Sequence, residues 1–161
     1  SQTSVGEGIL PNDAILMGST IDWRTAGFGD LDPDAGAWAR LAGQRDVGRL
    51  TCALGGTAKT ETDVAYLLVN EKDGQRRVVM LVDGKDRYDV KYPYVGLLAV
   101  IPKVNLARIQ WSSRAPEKPD GDALLIVRKP QDRTSGLVLY FSDGKLVSGI
   151  PSDYQSINLL E

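Results

Sequence analysis

Several short stretches of this sequence bring together side chains that could do chemistry. Asp30, Asp32 and Asp34 alternate as hard-cation ligands do at the start of a calcium loop, which makes Ca²⁺ the one metal to consider. Ala35, however, stands where such a loop needs its Gly, and Leu41 where its closing bidentate Glu would be. Helix capping, with Asp32 ahead of Pro33, explains the same residues more economically. Asp120 and Asp122 are a carboxylate pair of the type that hydrolyses glycosides, but closeness in sequence does not set the separation that reaction needs, and Asp120-Gly121-Asp122 also has the composition of a turn. Gly55-Gly56-Thr57-Ala58-Lys59-Thr60 suggests a phosphate loop, yet no Gly precedes the Lys and an apolar strand pattern follows, so no helix N-terminus would face a phosphate.

The sequence contains no His, which removes the Ser-His and Cys-His pairs that activate most nucleophiles, and the commonest metal ligand with them. Cys52, inside the apolar run Leu50–Leu54, reads as a small buried hydrophobe. Being the only cysteine, it cannot form a disulfide within the chain. Lys and Arg (19) nearly balance Asp and Glu (21) and are scattered, which argues against binding nucleic acid by neutralising phosphates. No apolar stretch approaches the roughly 20 residues of a membrane-spanning helix. The polar start Ser1-Gln2-Thr3-Ser4 suits a chain from which a leader has been removed, an expectation of export.

The elements that must position these residues are mainly strands. At 161 residues the chain suits one domain with one core. Asp13–Gly18 reads as a first short buried strand. One helix is expected near residues 33–42, with Asp32 as cap, Pro33 at the first helical position, Trp38 and Leu41 as its apolar face, and Gly43 beyond. From Leu50 onward, apolar runs at Val64–Val69, Val78–Val82, Val95–Ile101, Ala123–Val127 and Leu137–Phe141 read as strands. Asp73-Gly74, Asp83-Gly84 and Asp143-Gly144 read as type I′ hairpin turns.

The run Ala65–Val69, Val78–Val82, Asp83-Gly84-Lys85 is echoed by Ala123–Val127, Leu137–Phe141, Asp143-Gly144-Lys145, at a spacing of about 60 residues. The expectation is a mainly β domain over residues 1–161, with two antiparallel sheets packed like propeller blades; 63–90 and 122–150 read either as an internal duplication or as hairpins alike through their shared Asp-Gly turns and aliphatic strands. Between the halves, Trp111 to Gly121 is a long polar connection carrying Pro116 and Pro119, the kind of loop in which recognition resides.

The pattern Asp-Ala and an aliphatic run, a hairpin, then Tyr140-Phe141-Ser142-Asp143-Gly144-Lys145 and Pro151-Ser152-Asp153 resembles small exported bacterial β proteins related to propeller-blade repeats. Among these, the two-blade layout, the size and Ser112-Ser113 in the long connection most resemble the periplasmic immunity proteins that neutralise type VI secretion peptidoglycan amidases. The resemblance spans about residues 63 to 153. It implies a periplasmic, non-enzymatic protein inhibitor without a cofactor, whose partner is a Cys-His peptidoglycan amidase effector. Ser112, Ser113 and Arg114 would form the loop that plugs the amidase groove, a serine hydroxyl reaching the catalytic His. Two other readings stand beside it: an envelope binding module of propeller-like type holding Ca²⁺ through Asp30, Asp32 and Asp34, and a glycan hydrolase working through carboxylates such as Asp120 and Asp122.

Overall fold

The computed structural model describes residues 22–55, 63–83, 86–90, 94–113 and 117–160. The strand expected at Asp13–Gly18, the Gly-rich segment beyond Gly55 and Arg114 lie outside them.

Two antiparallel five-stranded sheets make up the fold. In the first, β3 (Asp63–Asn70) pairs with β4 (Arg76–Val82), which pairs with β5 (Asp86–Val90). The other side of β3 is shared end to end by β1 (Trp23–Thr25) and β2 (Arg49–Cys52). In the second sheet the order is β6 (Leu97–Ile101), β8 (Ala123–Val127), β9 (Gly136–Ser142), β10 (Lys145–Pro151) and β7 (Trp111–Ser113). The expected mainly β architecture of two antiparallel sheets is therefore present, and each half contributes a meander, β3-β4-β5 and β8-β9-β10.

Period-2 alternation decides which side chains meet. Leu50, Ala65, Leu67, Val78 and Met80 share the face of the first sheet that joins the main core. Tyr88 of β5 meets Phe141 of β9 edge to face, with ring centroids 5.1 Å apart, so the two sheets are in contact through this core. Val64, Tyr66, Leu68, Val79 and Leu81 point the other way and form a second buried cluster, with Trp23 packed against it. In the second sheet every residue of β8 is buried, as expected of a strand covered on both faces. Each leucine so buried contributes about 1.5–3 kcal/mol relative to exposure.

Helix α1 (Pro33–Leu41) begins as its sequence dictates: Asp32 accepts from Asp34 N and Pro33 opens the first turn. Its buried face differs from the expected one. Ala35, Gly36 and Ala39 face inward, while Leu41 is 87% exposed and Trp38 is half-buried, stacked edge to face on Tyr154. Small residues let the helix lie close to the protein, which a Trp38–Leu41 face would prevent. A second short helix, α2 (Lys103–Leu106), follows β6 directly after Pro102.

The turns divide by chemistry. Asp143 (φ 51°) and Gly144 (φ 77°) form the expected two-residue turn with both central residues left-handed, joining Ser142 to Lys145. Asp83 is also left-handed, at φ 55°. Asp73-Gly74 departs from expectation: only Gly74 has positive φ, and Gly74 N donates to Asn70 O in a longer loop closed by Asn70 N to Gln75 O. Asn70 Oδ1 stabilises that alternative by accepting from Lys72 N.

Candidate functional site

The acidic residues singled out by the sequence serve the fold. Asp30 accepts from both Arg24 Nη1 (2.7 Å) and Arg24 Nη2 (2.6 Å), and from Gly27 N (2.8 Å). The Arg24 guanidinium beside it, helped by the Gly27 N–H, holds the Asp30 carboxyl down at about 2. Asp32 caps α1, and Asp34 sits exposed in its first turn. These carboxylates do not form a calcium loop; among the described residues no three His, Cys, Asp or Glu side chains come close enough together to hold a metal ion.

Asp120 and Asp122 do not face each other across a cleft. Asp120 Oδ1 and Oδ2 accept from Asp143 N and Gly144 N, each at 2.9 Å, clamping the β9–β10 turn. Asp122 Oδ2 accepts from Ala53 N (3.1 Å) and Oδ1 from Lys103 N (3.0 Å), while Asp122 N donates to Ala53 O. One side chain thus ties the end of β2 to the start of α2. Carboxylates committed to backbone N–H groups are poorly placed to act as acid or nucleophile.

The first half contains the counterpart of the Asp120 clamp. Asp63, 1% exposed, accepts from Gly55 N (2.9 Å) and Asp83 N (2.8 Å). The N–H of the first glycine of the phosphate-loop-like segment is therefore already taken by an internal carboxylate. Cys52 is buried at the end of β2, as its apolar context predicts.

The long connection after β6 is where the structure makes a concave surface. Trp111, Ser112 and Ser113 do not start a free loop. They form β7, an edge strand paired with β10, with Ser113 opposite Ile150. Both serines are exposed; Ser112 Oγ donates to Ile150 O at 3.1 Å. Trp111 lies over Gly149 so closely that a Cβ there would stand 2.5 Å from the indole. The connection then returns across the sheet, where Glu117 N donates to Tyr140 Oη at 2.8 Å.

Between this return, α2 and β7 lies a cavity of about 570 Å³, lined by Val104, Leu106, Trp111, Pro119 and Tyr140, with Lys103, Glu117 and Lys118 among its polar groups. Val104 is 67% exposed at its edge, an unusual position for a large aliphatic side chain next to an apolar cavity. Ser112 and Ser113 follow Trp111 directly, so exposed serines adjoin the cavity; the register shifts within β7, pairing Trp111 with Pro151 and Ser113 with Ile150, neighbours on opposite faces of β10.

Sequence reading points to Ser112 and Ser113 but misses the groove beside them. Tyr140 reads as strand core, and Trp111 as the start of a loop. They meet only because β7 joins the sheet beside β10, bringing the two rings to 6.4 Å between centroids. Pro102 followed by Lys103-Val104-Asn105-Leu106 is the one available signal for α2. No protein-family model, curated protein or solved structure matches the chain.

Proposed function

We propose that this protein is a non-catalytic binding protein that acts by occupying a partner protein, and that the partner is a Cys-His peptidoglycan amidase whose groove it blocks. The observation that carries the reading is the adjacency of exposed Ser112 and Ser113, held on a paired edge strand, to the apolar groove of Trp111, Tyr140 and Val104. A strand-anchored segment loses little entropy on binding, and an apolar patch beside it supplies the desolvated contact that gives interfaces their affinity. A serine hydroxyl can hydrogen-bond a catalytic imidazole without presenting a bond to cleave. Ser113 suits that role because its exposed hydroxyl makes no hydrogen bond with any described residue, whereas Ser112 already donates to Ile150 O.

The test is an inhibition titration of the purified chain against a panel of Cys-His peptidoglycan amidases digesting peptidoglycan. Stoichiometric arrest of one amidase is the expected result, weakened by Ser113→Arg more than by Ser112→Arg. Absence of arrest across the panel would overturn the amidase reading, and arrest indifferent to both substitutions would move the inhibitory surface elsewhere.

A further inference from the structure

The groove has a chemistry of its own that the exposed serines do not use. Its floor is apolar and aromatic, from Leu106, Trp111, Pro119 and Tyr140. Its volume of about 570 Å³ accommodates one bulky side chain with the backbone on either side of it. The floor is also built to stay flat: Gly149 leaves room for the indole, and Tyr140 Oη is fixed by Glu117 N.

The charges around it are unevenly committed. Glu117 has a partner. Lys103 and Lys118 are exposed and make no ion pair with any of the described residues. Asp122, the acid nearest Lys103 in the hydrogen-bond pattern, already accepts from the Lys103 and Ala53 backbone N–H groups. The side of β7 away from β10 has no strand partner among the described residues. Among the described residues, the groove thus combines an aromatic floor, two ammonium groups without an ion pair and an adjoining strand edge without a strand partner.

We propose that the groove receives an extended segment of the partner protein that places a bulky apolar side chain against Trp111 and Tyr140 and a neighbouring carboxylate side chain beside Lys103 and Lys118. The inference rests on the partner-blocking reading above and adds what the partner must present. An extended peptide fits because it can lie along the edge of β7 that no described strand pairs, where main-chain hydrogen bonds supply affinity and alternate side chains supply specificity. The lysines select its charge, since like charges brought to the same rim are disfavoured.

The experiment uses the full chain labelled with ¹⁵N and three capped tetrapeptides that each carry one phenylalanine, followed two residues later by glutamate, glutamine or lysine. The readout is the Trp111 indole N–H resonance, assigned by its loss in Trp111→Phe. The expected order of affinity is glutamate, then glutamine, then lysine, with the Trp111 signal shifting. The double variant Lys103→Glu, Lys118→Glu should invert the order and weaken the glutamate peptide about tenfold. Both lysines are exposed, so an unchanged urea midpoint will show that the variant is folded.

Equal binding of the three peptides, or no movement of the Trp111 resonance with any of them, would overturn the proposal. The amidase titration separates the two levels. Peptide discrimination without arrest of any amidase supports the groove assignment and removes the amidase reading. Arrest that survives the double variant, with no peptide binding, leaves the amidase reading standing and overturns the groove assignment.

Discussion

Replacing Asp63 by Asn removes one charge and almost no volume, and it should cost far more than the same change at Asp120. The Asp63 carboxylate is 1% exposed and accepts from two backbone donors, Gly55 N at 2.9 Å and Asp83 N at 2.8 Å. Hydrogen bonds to a charged group contribute about 1.5–3 kcal/mol each. An Asn has a single acceptor oxygen, so one N–H keeps a weaker, neutral bond while the other faces the amide NH₂, donor against donor. The loss is about 3 kcal/mol, composed of one charge-assisted bond and part of the second. For a chain of this length that lowers Tm by about 6–12 °C.

Asp120 makes the same pair of bonds, to Asp143 N and Gly144 N, but is only partly buried, so water can replace what an amide at that position fails to provide. Asp120→Asn should therefore cost about 1 kcal/mol. Urea unfolding followed by circular dichroism, with thermal melts as a second measure, gives both values. Equal losses at the two positions, or a loss below about 0.5 kcal/mol at Asp63, would refute the argument that burial of the clamp sets its strength.

Asp30 makes part of the stability pH-dependent. Its carboxyl is held at about 2 in the folded protein, below its ordinary value near 3.8, so its contribution is complete above the ordinary value and is lost as pH falls toward 2. Acid unfolding of Asp30→Asn should lack this component, flattening the stability curve between about pH 4 and 2 by about 1–2 kcal/mol; an unchanged curve would show that the Arg24 pair does not differ between folded and unfolded states. Gly149→Ala would set a Cβ 2.5 Å from the Trp111 ring and must displace the indole or the strand. A destabilisation of about 1–3 kcal/mol with a shifted Trp111 resonance is expected, and the wild-type resonance in a fully stable variant would show that the ring does not rest there.

The parts of the fold legible in the sequence are those fixed by local rules. β3, β4, β8 and β9 are aliphatic runs bounded by turn residues, and Asp143-Gly144 has the positive-φ chemistry its hairpin requires. β5 (Asp-Arg-Tyr-Asp-Val) and β10, which contains Gly149 and ends at Pro151, lack an aliphatic run; neighbours in the sheet, not propensity, make them strands. Hydrophobicity misplaces the buried face of α1 because Trp38 and Leu41 outweigh Ala35 and Ala39 in it, whereas close packing favours the smaller pair. The carboxylates are visible in the sequence but their N–H partners are not: Gly55 and Asp83 stand 8 and 20 residues from Asp63, and Ala53 stands 69 from Asp122. The groove depends on β10 carrying β7 on its far side, a pairing between distant segments that no local pattern in either announces.

The hydrogen bonds of Asp122 bear on how the molecule comes apart. The residue joins the C-terminal end of β2, in the first half of the chain, to the strand that leads the second meander, and Gln44 Nε2 to Leu98 O and Arg76 Nη1 to Val95 O cross between the halves as well. A duplicated chain whose repeats were autonomous could melt one repeat at a time. Here the opening of either meander strips partners from the other, so amide protons of β3 and β8 should exchange through one shared global opening with matching free energies. The expected outcome is that the two meanders open as a single cooperative unit.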